Sequence, residues 1–286
     1  MTKRWHLLTA IFAIVALLSA CQPVQAPDAA GGEPEATEAA AVETTIPVVT
    51  LTVSDGRLEA PAEIPSGIVA VTVQGGDPEN MPELAKLNDG VTMVQVNEAL
   101  AQPDPMAALP LVTLLGSTGN SVDGQVIYDL APGGYVAVYF PAEGPPQSTA
   151  ISAGEPSGAT APVADVNVAL VDFNFAMPDT ISAGPHVWQI DNMGGQWHEM
   201  PILKLNEGVT VDDLIAMMAE AGPGGPEGPP PFEMVAFWSP MSAGQRALVT
   251  FDLPPGEYTV LCFLPDLNGD MSPHLAHGMV RTLTVE

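Results

Sequence analysis

The stretch Pro255-Gly-Glu-Tyr258-Thr-Val-Leu-Cys262-Phe-Leu-Pro-Asp-Leu-Asn-Gly-Asp-Met-Ser-Pro-His274-Leu-Ala-His277-Gly-Met279 decides how this chain is to be read. Its first half follows a Pro-Gly turn and is rich in β-forming residues, so Tyr258 to Phe263 reads as a strand. From Cys262 onward, one soft sulfur, two imidazoles and a thioether fall within eighteen residues, on the loop that leaves that strand. Thiolate, imidazole and a weakly held methionine form the donor set that copper favours for electron transfer.

Cys262 has no partner for a disulfide in the folded part of the chain, because the other cysteine, Cys21, lies in the N-terminal segment. Lys3 and Arg4 begin that segment, and Leu7 to Leu18 form an apolar run too short for a comfortable membrane span. It ends Leu18-Ser19-Ala20-Cys21, which resembles the lipobox of bacterial lipoproteins. The resemblance implies that residues 1–20 are a signal peptide and that Cys21 is lipidated as the mature N-terminus. An ordinary secretory signal cleaved near Ala20 is the alternative. Both predict an extracytoplasmic protein, and the first anchors it to the cell membrane. An unpaired cysteine in an exported protein needs a reason: an inert buried thiol, or a thiolate held by something.

Hydrophobic residues make up 47% of the chain, enough for sizeable cores, while 30 Pro and 27 Gly favour short strands over long helices. Without the signal, five basic residues face 34 acidic ones. That balance argues against nucleic acid, which needs a basic footprint, and suits a basic protein partner. Residues 21–46 are mostly Ala, Pro, Glu, Gly and Thr, too poor in large apolar side chains to offset ordering entropy, and read as a disordered acidic tether.

Beyond the tether the chain repeats itself. Leu84-Ala-Lys-Leu-Asn-Asp-Gly-Val-Thr92 matches Ile202-Leu-Lys-Leu-Asn-Glu-Gly-Val-Thr210. Upstream, Ala62-Glu-Ile-Pro-Ser-Gly67 matches Asp179-Thr-Ile-Ser-Ala-Gly184, and downstream Leu130-Ala-Pro-Gly-Gly-Tyr135 matches Leu253-Pro-Pro-Gly-Glu-Tyr258. The order and near-constant spacing predict two copies of one domain, residues 47–150 and 165–286, joined by a Ser/Gly/Ala/Pro linker over 151–164. Short β-rich runs bounded by turn residues predict an all-β sandwich in each. Thr210 with Asp213 predicts a capped helix over 211–221.

The repeat also serves as an internal control. All four histidines beyond the signal, His186, His198, His274 and His277, lie in the second copy. Where that copy has His198 and Cys262, the first has Asn80 and Tyr139, and it lacks the His274 loop. His186, matched by Val69, reads as structural. This segregation predicts one copy with a site and one without.

At these residues the second copy resembles the cupredoxins, the blue-copper family that includes plastocyanin and azurin. Asn192-Met-Gly-Gly-Gln-Trp-His198 resembles the segment giving the first imidazole, and Tyr258 to Cys262 the strand that delivers the thiolate, with Tyr258 as its corner tyrosine. His274 then matches the second imidazole and Met279 the weak axial thioether. The resemblance implies two Greek-key β-sandwiches in tandem, each with a short inserted helix, and one type 1 copper per chain. Its ligands would be His198, Cys262, His274 and Met279, with Phe263 and Trp197 as apolar surroundings. Eleven residues separate Cys262 from His274, a long polar loop that leaves His277 as an alternative to His274. Glu199 stands where the family places a small polar residue.

The expected function is one-electron transfer by a membrane-anchored protein, with a basic redox protein as partner. A copper carrier without redox cycling and a metal-free binding module are the alternatives. No Ser-His-Asp order, paired-carboxylate site or phosphate loop stands out, so the expectation is an electron carrier and no enzyme.

Overall fold

The computed structural model describes residues 45–76, 80–220 and 228–286. The signal peptide, Cys21 and nearly all of the tether fall on residues 1–44 and lie outside the described residues. Among the described residues, no helix is long and apolar enough to cross a membrane. Residues 43–286 group as one compact unit.

The first copy runs β1 (Val48–Ser54), β2 (Arg57–Glu59), β3 (Glu63–Gly75), β4 (Glu83–Leu87), α1 (Met93–Leu100), a 3-10 turn (Pro105–Leu111), β5 (Val112–Leu114), β6 (Gln125–Leu130), β7 (Gly133–Tyr139) and β8 (Gln147–Pro156). The second runs β9 (Val166–Val171), β10 (Asn174–Ala176), β11 (Thr180–Ile181), β12 (Gly184–Asn192), β13 (His198–Leu205) and α2 (Val211–Glu220). It closes with β14 (Phe232–Met241), β15 (Arg246–Leu253), β16 (Gly256–Leu261), a 3-10 turn (His274–His277) and β17 (Val280–Val285).

In the second copy, β10-β9-β12-β15 form one layer and β11-β17-β16-β13-β14 the other. The layers bury a shared core in which Trp188, Ile190 and Phe251 of the first meet Met200, Ile202, Val260 and Leu283 of the second. Each such fully buried side chain contributes about 1.5–3 kcal/mol of transfer free energy. The first copy uses the same strands differently. There β3 is unbroken, pairing with β6 and β1 through its second half and with β8 through its first, with an irregularity between Ile64 and Ser66. The second copy divides the same length between β11 and β12.

Both helices begin at a reciprocal cap. The Thr210 amide and hydroxyl donate to Asp213 while the Asp213 amide donates to the Thr210 hydroxyl, and Thr92 with Gln95 repeats the device in α1. Corner tyrosines recur as well: Tyr258 and Tyr135 donate their hydroxyls to the carbonyls of Pro254 and Ala131, at 2.7 and 2.8 Å.

Two features differ from the expected organisation. The stretch 151–164 is strand through Pro156, because β8 pairs in parallel with β3 (Glu63 opposite Ser152) and so satisfies its backbone. The two sandwiches are also not strung as separate beads. The equivalent strands β6 and β15 pair antiparallel, with Ile127 opposite Leu248, so one twelve-stranded sheet runs through both copies. Beside that seam Ser117 and Ser239 exchange hydrogen bonds, and the Leu114 amide donates to the Ser242 hydroxyl.

Candidate metal centre

Four segments meet at one end of the second sandwich. His198 is the first residue of β13, Cys262 follows the last residue of β16, His274 opens the 3-10 turn and Met279 precedes β17. The main chain ties them together before any side chain is considered. The Cys262 amide donates to the Met279 carbonyl (3.2 Å), Leu275 to Cys262 (3.0 Å), His274 to Leu264 (2.8 Å) and Met279 to His274 (3.0 Å). The long loop between Cys262 and His274 is folded on itself around Asp266, whose carboxylate accepts the Asn268 amide and the Gln196 side-chain amide.

His198, Cys262 and His274 each offer one ligand atom, and these atoms all lie within 4.8 Å of one another. The two Nδ1 atoms of His198 and His274 stand 3.2 Å apart, and Cys262 Sγ is 3.4 Å from His274 Nδ1. All three residues are buried, as is Met279, whose main chain bonds both Cys262 and His274. His277 is elsewhere: it is exposed, and its Nε2 lies 3.1 Å from Asp270 and 3.7 Å from Asp266. The alternative second imidazole is therefore not brought to the cluster. His186 lies near the start of β12, its Nε2 2.9 Å from the Ser182 carbonyl and away from the cluster.

Two residues that sequence reasoning passed over shape the site. Asp172, in the turn between β9 and β10, lies 2.7 Å from His198 Nε2 and fixes that ring with its Nδ1 toward the cluster. Gly194 makes this contact possible: a Cβ there would sit 2.6 Å from His198 Nε2 and intrude on the Asp172 carboxylate. An Asp at the matching turn of the first copy, Asp55, was the available signal. Asn192 closes the turn by donating to the carbonyls of Gln196 and Met241 while accepting from the Gly194 amide. Phe173 covers His274 edge-on, with ring centroids 4.9 Å apart.

The electrostatics follow from burial. Desolvation depresses His198 against the upward pull of Asp172 and takes His274 down to about 4, so both rings are neutral at pH 7. Desolvation, with the nearby Glu199, pushes the Cys262 thiol up to about 12. Glu199 is itself buried, raised by desolvation to about 7, and accepts the Phe263 amide at 3.0 Å. Burial alone would raise Asp172, but hydrogen bonds from Gly195 and His198 outweigh it and hold the carboxyl low.

The donor set fits a metal on these grounds. With its proton at Nε2, bound to Asp172, His198 presents a bare Nδ1. His274 Nε2 is buried and has no hydrogen-bond partner, so the protein alone fully satisfies neither tautomer of that ring. A cation taken by both Nδ1 atoms and Sγ uses the converging lone pairs and supplies the positive charge that a buried thiolate needs. Sulfur with two imidazoles suits copper. The fold is cupredoxin-like.

No family model matches the sequence, and no curated protein does. Solved structures of similar fold include a dithionite-reduced auracyanin of Roseiflexus castenholzii, at 24% identity over 42% of this chain and 94% of that one, with a TM-score of 0.31. Auracyanin A of Chloroflexus aurantiacus, described as a "blue" copper protein, is 19% identical over 42% of this chain and 96% of its own, with a TM-score of 0.29. The copper nitrite reductase of Nitrosomonas europaea is 14% identical over 85% of this chain and 94% of its own, with a TM-score of 0.25. A nitrite reductase is an enzyme. This corrects the expectation that the chain is a carrier and no enzyme, because the similar structures span both kinds of protein. The cupredoxin-like assignment itself rests on the sheets, the repeated corner tyrosines and the His-Cys-His cluster described above.

Proposed function

We propose that the second cupredoxin-like copy holds one type 1 copper ion and that the protein moves single electrons. His198 and His274 would hold it through Nδ1 and Cys262 through Sγ, and Met279 would add a weak thioether donor. The observation that carries this reading is the meeting of two imidazole nitrogens and a thiol sulfur within 4.8 Å of one another, all on buried residues. Copper bound there would supply a one-electron couple. The chain's own part is to hold the donors still: Asp172 fixes the His198 ring, Glu199 and the Met279 carbonyl tether the strand end around Cys262, and Phe173 keeps water from His274.

The test is a visible absorption spectrum of the full chain after Cu(II) loading, beside Cys262→Ser. An intense thiolate-to-copper band, lost in the variant, is the expected result. A colourless chain that retains no copper would overturn the proposal, and a colourless chain with one tight Cu(I) would make it a copper carrier.

We further propose that the protein is exported and anchored to the outer face of the cell membrane through lipidated Cys21. Incorporation of a labelled fatty acid that persists in Cys21→Ser would refute the anchor. The formal charge of −27 supports a basic redox partner drawn in by long-range attraction. Reduction by a basic cytochrome should then slow as salt is raised from roughly 10 mM to 150 mM, where the screening length falls to about 8 Å.

A further inference from the structure

A largely apolar cavity lies behind the metal centre, and the repeat explains how it arose. In the second copy, the space under α2 is filled by Leu203, Leu214 and Leu261, closed by Leu275 from the loop that carries His274. The residues at the matching places in the first copy are Ala85, Val96 and Val138, each smaller, and no such loop follows Tyr139. The result is a cavity of about 360 Å3 under α1. It is closed from the second copy by Trp197 and Leu264, neighbours of His198 and Cys262.

Its walls are apolar apart from Glu83 and Gln196. Glu83 stands where the second copy has Pro201, and its Oε1 accepts the Ser117 hydroxyl at 3.2 Å. A volume of this size lies at the small end of ligand pockets, roughly 300–1,000 Å3, which pair apolar walls with a few polar anchors. The wall offers no cation, so an anionic ligand would have nothing to neutralise it beside a carboxyl group.

We propose that this cavity is a binding site for a small uncharged molecule of one or two rings that carries a single hydroxyl, which donates to Glu83. The first copy would thus have exchanged a metal loop for a ligand pocket. Occupancy would press against Trp197 and Leu264 and so reach the ligand-bearing loops of the second copy. The site does not require copper, which separates its failure from failure of the metal reading.

The test uses 2-naphthol as probe, followed by its own fluorescence, with naphthalene as the analogue lacking the hydroxyl. The full chain and its Cys262→Ser variant should both bind 2-naphthol saturably at one site. Ala85→Leu with Val138→Leu, which restores the side chains of the second copy, should weaken binding of both probes at least tenfold. Glu83→Ala should weaken 2-naphthol by about tenfold and leave naphthalene unchanged. If the double variant does not fold, as judged by its thermal transition, Val138→Leu alone should still weaken binding severalfold. Non-saturable binding, or saturable binding indifferent to these variants, would overturn the proposal.

Discussion

Asp172→Ala isolates what a single outer contact contributes to the metal centre. The carboxylate lies 2.7 Å from His198 Nε2, and the histidine side chain is fully buried while that of Asp172 is 35% exposed. A hydrogen bond involving a charged partner is worth about 1.5–3 kcal/mol, and partial exposure of the carboxylate places this one in the lower part of that range. At roughly 1.36 kcal/mol per decade, copper affinity should fall by about 10–30-fold. Loss of outer contacts to metal-bound histidines typically costs about 10–100-fold, which agrees. The assay is competition for Cu(I) against bicinchoninate. Glu257→Ala, an exposed carboxylate on β16, controls for the change in net charge. Asp172→Asn keeps an acceptor oxygen and should fall between wild type and alanine. If Asp172→Ala loses no more affinity than Glu257→Ala, the aspartate does not orient His198 for metal.

Gly116→Ala tests the seam between the copies. Gly116 has φ +71°, and a Cβ there would stand 2.6 Å from Trp238 Cε2, so strain and overpacking together should cost roughly 2–5 kcal/mol in urea unfolding. A loss below about 1 kcal/mol would mean that the seam yields easily. His277→Ala should leave copper stoichiometry and the visible band unchanged, since that ring bonds Asp270 instead of the cluster; loss of copper would make His277 a ligand. Glu83 supplies a pH test, because desolvation raises its carboxyl against the lowering effect of hydrogen bonds from Ser239 and Ser117. A raised folded value means that its contribution is fully present below the unfolded carboxyl value of about 4.3 and is lost as pH rises through the folded one. The melting temperature of Glu83→Gln minus that of wild type should therefore grow as pH rises above about 4.3. A difference constant from pH 4 to 8 would refute this.

What the sequence disclosed was carried by short-range signals. The Thr210–Asp213 cap, the corner tyrosine at Tyr258 and the strand leading to Cys262 each occupy a few adjacent residues, and each stands where it was expected. The repeat extended these readings to the first copy without further evidence. Contacts between distant segments carried no such signal. Asp172 acts on a histidine 26 residues away, and its mark in the sequence is only the matching Asp55 of the first copy, which does not say what the residue contacts. The pairing of β6 with β15 depends on two exposed edges meeting, a matter of surface shape that alternation of polar and apolar residues does not encode. The strand character of residues 151–156 was hidden for a related reason. Ser, Gly and Ala have weak intrinsic β preference, and β3 supplies the partner that overrides it.

The comparison of the two copies also indicates how the donors are held. In the second copy the loop from Phe263 to Pro273 is anchored at both ends by backbone bonds to ligand-bearing residues and in its middle by Asp266, none of which involves a metal. Gln196 spans this loop and the His198 loop, donating to Asp266 and accepting the Leu267 amide. The donors are therefore positioned by the protein, with the two nitrogens held 3.2 Å apart by segments that the core already fixes. The first copy keeps the corner tyrosine and the capped helix but has Tyr139 at the cysteine position and no loop to carry a second imidazole. The first copy thus keeps a sandwich without the donor set. The scaffold and the chemistry are separable, and what separates them is His198 at the start of β13, Cys262 after the end of β16 and the loop of eleven residues that leads from it to His274.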